Sequence, residues 1–322
     1  MKNNFLSTAC LIAILVAVVT GFSAFDKPGG KPMTKAELGK KLFFDPILSA
    51  DSSVSCGSCH KPEFYFADTG AFSIGIGGKK TARNTPSVLN MAGRSLMFWD
   101  GRAASLEEQV LFPIRDHNEM NLSLHDAIGK LRRNRKYRKW FWQVFKSAPN
   151  EKLLGEAVAT FEATLETSRS RFDLYNSGKG SMTEDEIAGQ KIFIGKGKCF
   201  DCHFGPDFTG DEFKNIGLYD GKTNRDPGRF AITRDSQDLG KFKTPGLRNV
   251  AKTAPYMHDG RFRTLGEVID FYINPLNFVP EAIGTDTSIS AGITMTPEEK
   301  LQLEAFLRAL TDPIPILSRT GK

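Results

Sequence analysis

The polar and apolar positions along the chain mark out short helices with defined starts. Thr34 with Glu37, and Thr183 with Glu186, are T-x-x-E capping boxes at the head of "TKAELGKKLFF" and "TEDEIAGQKIF". In such a box the threonine hydroxyl and the glutamate carboxylate each satisfy a backbone N–H that the first turn leaves free. A third box, Thr296 with Glu299 and with Pro297 in the first turn, opens "PEEKLQLEAFLRALT". Leu301, Phe306, Leu307 and Leu310 are expected to form its buried face, and Asp312-Pro313 to stop it. "LLGEAVATFEATLETSRSRF" predicts one longer helix with Val158, Phe161 and Leu165 on a common stripe. The glycine-bearing "NSGKGS", Asn176 to Ser181, predicts a linker. The expected fold class is all-α.

The start of the chain follows a different pattern. Lys2 is followed by a nearly unbroken apolar run, Phe5 to Val19, and by small residues around Gly21 to Ala24. That is the layout of a secretory signal, expected over 1–24. The other reading is an uncleaved anchor, although the run is short of the roughly 20 residues a span needs. The expected location is periplasmic, free or tethered. A formal net charge of +6 over 322 residues is modest and gives no argument for a nucleic-acid partner.

Past the leader the cysteines are Cys56, Cys59, Cys199 and Cys202, in "SCGSCH" and "KCFDCH". A four-cysteine zinc site would leave His60 and His203 without a role. A thioredoxin-like pair calls for a βαβ context that the sequence lacks. Covalent haem c uses every residue of the pattern: two thiols join the vinyl groups and the next histidine ligates iron. Two such motifs behind an export signal predict two haem c groups, with His60 and His203 as proximal ligands.

A second duplication follows. "TPSVLNMAGRSLMFWDGRAASLEEQVLFP" begins at Thr85, and "TPGLRNVAKTAPYMHDGRFRTLGEVIDFY" begins at Thr244. The shift from Thr85 to Thr244 also carries Asn90 to Asn249, Asp100-Gly101-Arg102 to Asp259-Gly260-Arg261, and Glu108 to Glu267 without a gap. It predicts two tandem cytochrome c-like haem domains with a pseudo-twofold internal repeat, 25–177 and 178–322. The mismatches predict unequal roles: Trp99 stands opposite His258, and Pro113 opposite Tyr272. A phenolate can ligate iron and a proline side chain cannot. The first haem is thus expected to be open and the second closed by Tyr272; Met257, beside His258, is the alternative ligand, but its place opposite Phe98 marks it as a packing residue.

With both CxxCH copies, "RNTPSVLN", "MFWDGRAASLEEQ" and "LRNVAKTAPYMHDGRFRTLGEVIDFY", the chain resembles the bacterial dihaem cytochrome c peroxidase and MauG family over about residues 34–315. The resemblance implies that hydrogen peroxide reacts at the N-terminal haem and that the C-terminal haem receives or shares electrons, with Trp99 between them. It implies a distal glutamate at a set spacing after the tryptophan, here Glu119, and a distal amide at Gln109. A desolvated carboxylate can move the proton that heterolysis of peroxide requires; by itself Glu119 would pass as a surface carboxylate. A calcium ion held by Asn84, Thr253 and Pro255 is also implied, along with a small cytochrome c or cupredoxin donor and, as a common assembly, a homodimer.

Two departures from the peroxidase branch stand out. Where many members carry a histidine that caps the resting first haem, this chain has Ile76, so peroxide access without reductive activation is expected. Where they carry a methionine ligand to the second haem, this chain has Tyr272, as MauG does. The expected activity is a periplasmic cytochrome c peroxidase that reduces hydrogen peroxide to water. The alternative is a MauG-like oxidase that modifies residues of a partner protein through a high-valent iron state. His117 and His125 read as surface histidines and His258 as a hydrogen-bonding residue. Arg102 and Arg261 serve equally well as propionate partners or as turn salt bridges. "KLRRNRKYRKW" reads as a solvated helical face or a docking patch.

Overall fold

The computed structural model describes residues 32–313; the expected leader lies outside them. The helices in chain order are α1 (Lys35–Phe44), α2 (Cys56–Cys59), α3 (Leu106–Gln109), α4 (Leu111–Arg115), α5 (Leu124–Arg133), α6 (Arg135–Phe145), α7 (Glu151–Glu162), α8 (Arg171–Asn176), α9 (Glu184–Ile194), α10 (Phe230–Thr233), α11 (Leu265–Ile273), α12 (Thr287–Ser290) and α13 (Pro297–Ala309). One short antiparallel pair, β1 (Phe213–Lys214) with β2 (Phe242–Lys243), is the sheet content of the described residues. All three expected capping boxes form, at α1, α9 and α13.

Three expectations shift. On α13 the buried residues are Leu303, Phe306, Leu307 and Ala309, whereas Leu301 is two-thirds exposed. The helix expected to continue through the "ETSRSRF" segment ends at Glu162. Asn90 draws the following chain out of helical geometry: its N–H donates to Leu165 O (2.9 Å), and its Oδ1 accepts from Thr167 N–H (3.2 Å) and hydroxyl (2.6 Å). The basic run divides at Asn134, whose side chain accepts from the N–H groups of Lys136 and Tyr137 and starts α6 afresh.

Each half places a crossing of two helices under its CxxCH segment. α1 lies on α7 at Gly39, and α9 lies on α13 at Gly189. A Cβ at Gly39 would overlap Ala157 O and touch Phe161 Cβ; one at Gly189 would overlap Gln302 O and touch Phe306 Cβ. Glycine is required there because the backbones touch. Phenylalanines fill both crossings: Phe43 against Phe161 at 5.3 Å, and Phe193 against Phe306 at 5.2 Å. One apolar cluster gathers residues from Leu38 to Leu165, a second from Met182 to Leu310, and a smaller third holds Leu218, Phe262, Phe271 and Val279.

Matched positions do matched work. Asn90 and Asn249 both have positive φ (57° and 64°), as do Phe98 and Met257 (70° and 71°) and Gly101 and Gly260 (70° and 64°). Met97 N–H donates to Ala103 O, and its repeat mate Tyr256 donates to Phe262 O, each at 2.7 Å. Asn90 N–H reaches Leu165 O; Asn249 N–H reaches Leu310 O at 3.1 Å. Two further bonds join the halves reciprocally. Asn84 N–H donates to His258 O at 2.7 Å. Lys243, the repeat mate of Asn84, donates its N–H to the O of Trp99, the repeat mate of His258, at 2.8 Å.

Candidate active site

The two CxxCH segments fold the same way locally. Cys56 to Cys59 make the single turn of α2, and His60 N–H closes it on Cys56 O at 2.9 Å. Cys199 to Asp201 form a 3₁₀ turn, and His203 N–H reaches Cys199 O at 2.8 Å. The imidazoles are held by carbonyls. His60 Nδ1–H donates to Phe66 O at 3.1 Å. His203 Nδ1–H lies within reach of Phe208 O (3.0 Å) and Pro245 O (3.1 Å). Pro86, the repeat mate of Pro245, supplies its carbonyl to His60. An acceptor facing Nδ1 fixes the proton there and leaves Nε2 a bare lone pair, the tautomer of a metal-binding histidine. Burial lowers both pKa values, that of His203 to about 4, so both rings stay neutral.

Beside the second segment lies a cavity of about 310 Å³ walled by Cys199, Cys202, His203, Tyr272, Trp99 and Leu307. It brings the expected proximal histidine, His203, and the expected distal tyrosine, Tyr272, to one space. The residues fit a covalently held haem. Burial pushes the Cys199 thiol up to about 12 and raises Cys202 as well, so both carry their protons until they are joined to a vinyl group. Burial also raises the Tyr272 phenol, so a cation in the cavity is needed to draw off its proton. Met257 also lines this cavity, in the conformation of Phe98.

The first segment has different surroundings. Glu119 follows α4 in a turn closed by its N–H on Asp116 O (3.1 Å). Desolvation, with the Asp116 carboxylate beside it, raises its pKa to about 7; Arg102 pulls the other way. Its charge is one of the smaller influences that raise the Cys56 and Cys59 thiols, after burial. Ile76 is buried, and its N–H donates to Glu119 O at 2.8 Å. A Cβ on the preceding Gly75 would overlap Asn118 O, so this segment lies directly against the Glu119 turn. Gln109 ends α3 half-buried, and Pro113 sits in α4.

Trp99, in the wall of the second cavity, donates its Nε1–H to Asn84 O at 2.9 Å. Asn84, Thr253 and Pro255 share the wall of the second cavity with Trp99. Asn84 Nδ2 donates to Gly70 O (3.2 Å) and Ala71 O (3.3 Å), which leaves its Oδ1 for another donor or a cation. His258 is buried and stacks on Phe242 at 3.7 Å; its Nε2 has no hydrogen-bond partner, so the expected bonding role is unmet by protein groups. Arg102 and Arg261 form turn salt bridges to Asp100 (3.0 Å) and Asp259 (2.6 Å). His117 and His125 are exposed.

The comparisons agree with this geometry. Residues 33–181 match the family model described as di-haem cytochrome c peroxidase. The methylamine utilization protein MauG of Methylorubrum extorquens is 37% identical over 295 residues, covering 88% of this chain and 80% of that protein. The cytochrome c551 peroxidase of Nitrosomonas europaea is 36% identical, covering 87% and 80%. The chain belongs to the di-haem cytochrome c peroxidase family. A crystal structure of a MauG-like protein associated with microbial copper homeostasis superposes with a TM-score of 0.79 at 34% identity, over 87% of this chain and 89% of that one. The diheme peroxidase BthA of Burkholderia thailandensis superposes with a TM-score of 0.74 at 27% identity, over 87% and 86%. Membership accounts for the duplicated CxxCH: the family is di-haem, and both segments here present a neutral imidazole beside two thiols.

Sequence reasoning missed the carbonyls of Pro86 and Pro245, which orient the imidazoles, and Glu162, a buried carboxyl near Cys56. The prolines sit at identical places in the repeat, a signal that was readable. Glu162 was visible as an acid within an otherwise apolar stripe.

Proposed function

We propose that this chain is an exported di-haem peroxidase that reduces hydrogen peroxide to water with electrons from a small cytochrome c or cupredoxin. The observation that carries the reading is the asymmetry between two like sites: Tyr272 shares a cavity with His203, whereas the first segment has a near-neutral carboxyl at Glu119 and a buried isoleucine at 76. Haem bound at Cys56, Cys59 and His60 would supply the iron that meets peroxide. Glu119 takes the proton from the near oxygen and returns it to the leaving one, a task suited to a group half-ionised near pH 7. Gln109 orients the incoming molecule. Trp99, with its N–H anchored on Asn84 O, lies on the path between the sites. The net change is one peroxide, two electrons and two protons to two waters.

The same reading takes the chain as two tandem haem domains, meeting near residues 177 and 178, related by a pseudo-twofold axis. The reciprocal bonds Asn84–His258 and Lys243–Trp99 support it, since residue i contacts j and its repeat mate contacts j's mate, the pattern of an isologous contact. A calcium ion at Asn84, Thr253 and Pro255 is supported by the oxygen-donor set, which suits a hard cation. The apolar run Phe5 to Val19, expected as a leader, supports a periplasmic location; no helix of the described residues is long and apolar enough to cross a membrane.

Tyr272 and Ile76 favour a second reading, a MauG-like oxidase that modifies residues of a partner protein through a high-valent iron state. The deciding assay mixes the holoprotein with hydrogen peroxide and a reduced small cytochrome c. Rapid oxidation of the cytochrome supports the peroxidase; negligible turnover with a long-lived oxidised protein transfers the case to the oxidase. EPR of the resting protein is expected to show one high-spin and one low-spin haem, with Tyr272→Phe altering only the low-spin signal. An unchanged low-spin signal removes Tyr272 as a ligand.

A further inference from the structure

Glu162, the last residue of α7, is 3% exposed, and its Oε2 has no hydrogen-bond partner. A buried carboxyl without a partner is costly, so its position calls for an explanation. The repeat locates it. Ala157 and Phe161 meet Gly39 as Gln302 and Phe306 meet Gly189, so the two crossings correspond residue by residue. Glu162, next after Phe161, therefore corresponds to Leu307, next after Phe306, and Leu307 lines the cavity of Cys199 and His203. By the same placement Glu162 faces the first haem site, and its charge acts on Cys56. Where the second site has a leucine, the first has an acid. Gln109 and Glu119 are the groups assigned above to peroxide; Glu162 ends α7, the helix that crosses α1 at Gly39.

We propose that Glu162 is a proton-releasing group coupled to oxidation of the first haem: the carboxyl is neutral beside the reduced group and ionises when an electron leaves it. The proposal rests on the reading of Cys56, Cys59 and His60 as a haem site. The electron passes to hydrogen peroxide in turnover, or to a mediator in a titration, and the proton passes to water. Burial holds the Glu162 carboxyl up at about 8, and no charged side chain from α1, α2, α3 or its own helix offsets this. The titratable group that faces it is Cys56, a thioether once haem is attached; Glu119 is the second acid acting on that cysteine. A net positive charge gained nearby is the missing counter-charge that makes ionisation favourable.

The test is a spectroelectrochemical titration of both haems in the holoprotein from pH 5 to 9, for wild type, Glu162→Gln and Glu162→Leu, the last copying the second site. At pH 5 the carboxyl is neutral in either redox state, so the three proteins should share one first-haem potential. At pH 9 the wild-type anion favours the oxidised state, and both variants should shift the equilibrium toward reduction by at least tenfold, about 59 mV for one electron. The second haem should stay put. An offset that is the same at every pH, no offset, or one confined to the second haem would overturn the proposal. Fewer than two covalent haems in wild type, read from its haemochrome spectrum, would instead sink the haem reading on which it rests. Glu119→Gln and the double variant Glu119→Gln/Glu162→Gln separate the two acids: the pH-dependent gap between these two should equal that between wild type and Glu162→Gln.

Discussion

Replacing Glu119 with glutamine removes the titratable oxygen while keeping the size of the side chain. The structure sets the scale of the effect. Desolvation and the Asp116 carboxylate lift the group from an ordinary 4.5 to about 7, with Arg102 opposing them. At about 1.4 kcal/mol per pK unit, the anion lies about 3 kcal/mol above its position in water. That cost makes the group a better base than an ordinary carboxylate and leaves it half-ionised near neutrality. The carboxylate is the active form for accepting the first proton, so the second-order rate with peroxide should rise with pH through about 7 and then level. Glu119→Gln should lower that rate by about 10² to 10⁴ and abolish the inflection. The neighbours give a signed check: Asp116→Asn removes a repulsion and should move the inflection to lower pH, while Arg102→Ala should move it higher. The assay is stopped-flow mixing of the holoprotein with peroxide from pH 5 to 9. If Glu119→Gln retains the inflection, or loses less than about tenfold in rate, Glu119 is not the proton carrier.

Two structural predictions follow from the repeat. Gly189→Ala forces a methyl group onto Gln302 O at the α9–α13 crossing and should cost about 1–3 kcal/mol, read as a lowered melting temperature; an unchanged melt would mean the crossing is looser than described. Asn249→Ala leaves the N–H of Asp312 and the hydroxyl of Thr167 without the partners they have at 2.9 and 3.0 Å, in a site with no exposure. It should cost about 3 kcal/mol in denaturant unfolding. Asn249→Gly, which relaxes the positive φ, should recover about 1 kcal/mol of that.

Much of this architecture was legible because its signals are short-range. A capping box is written in four consecutive residues, and all three form where expected. A CxxCH segment brings two thiols and an imidazole together within one turn whatever surrounds it, and a gapless duplication preserves the same turns, so Asn90 and Asn249 share a left-handed conformation. The expectation of His60 and His203 as proximal ligands, and the Pro113–Tyr272 contrast, needed only the sequence.

What packing alone decided involves groups distant in the chain. Leu301 carries the helical period but lies at the edge of the crossing, so it faces solvent while Leu303 is buried. The helix expected to run past Glu162 stops because Asn90, from a loop far earlier in the chain, takes up Leu165 and Thr167. The acidities of Glu119 and Glu162 come from desolvation, which depends on every segment folded over them and on no local pattern. Spacing along the chain determined which atoms could hold a haem; the exclusion of water by distant segments determined that the carboxyls of Glu119 and Glu162 are held well above the usual carboxylate range.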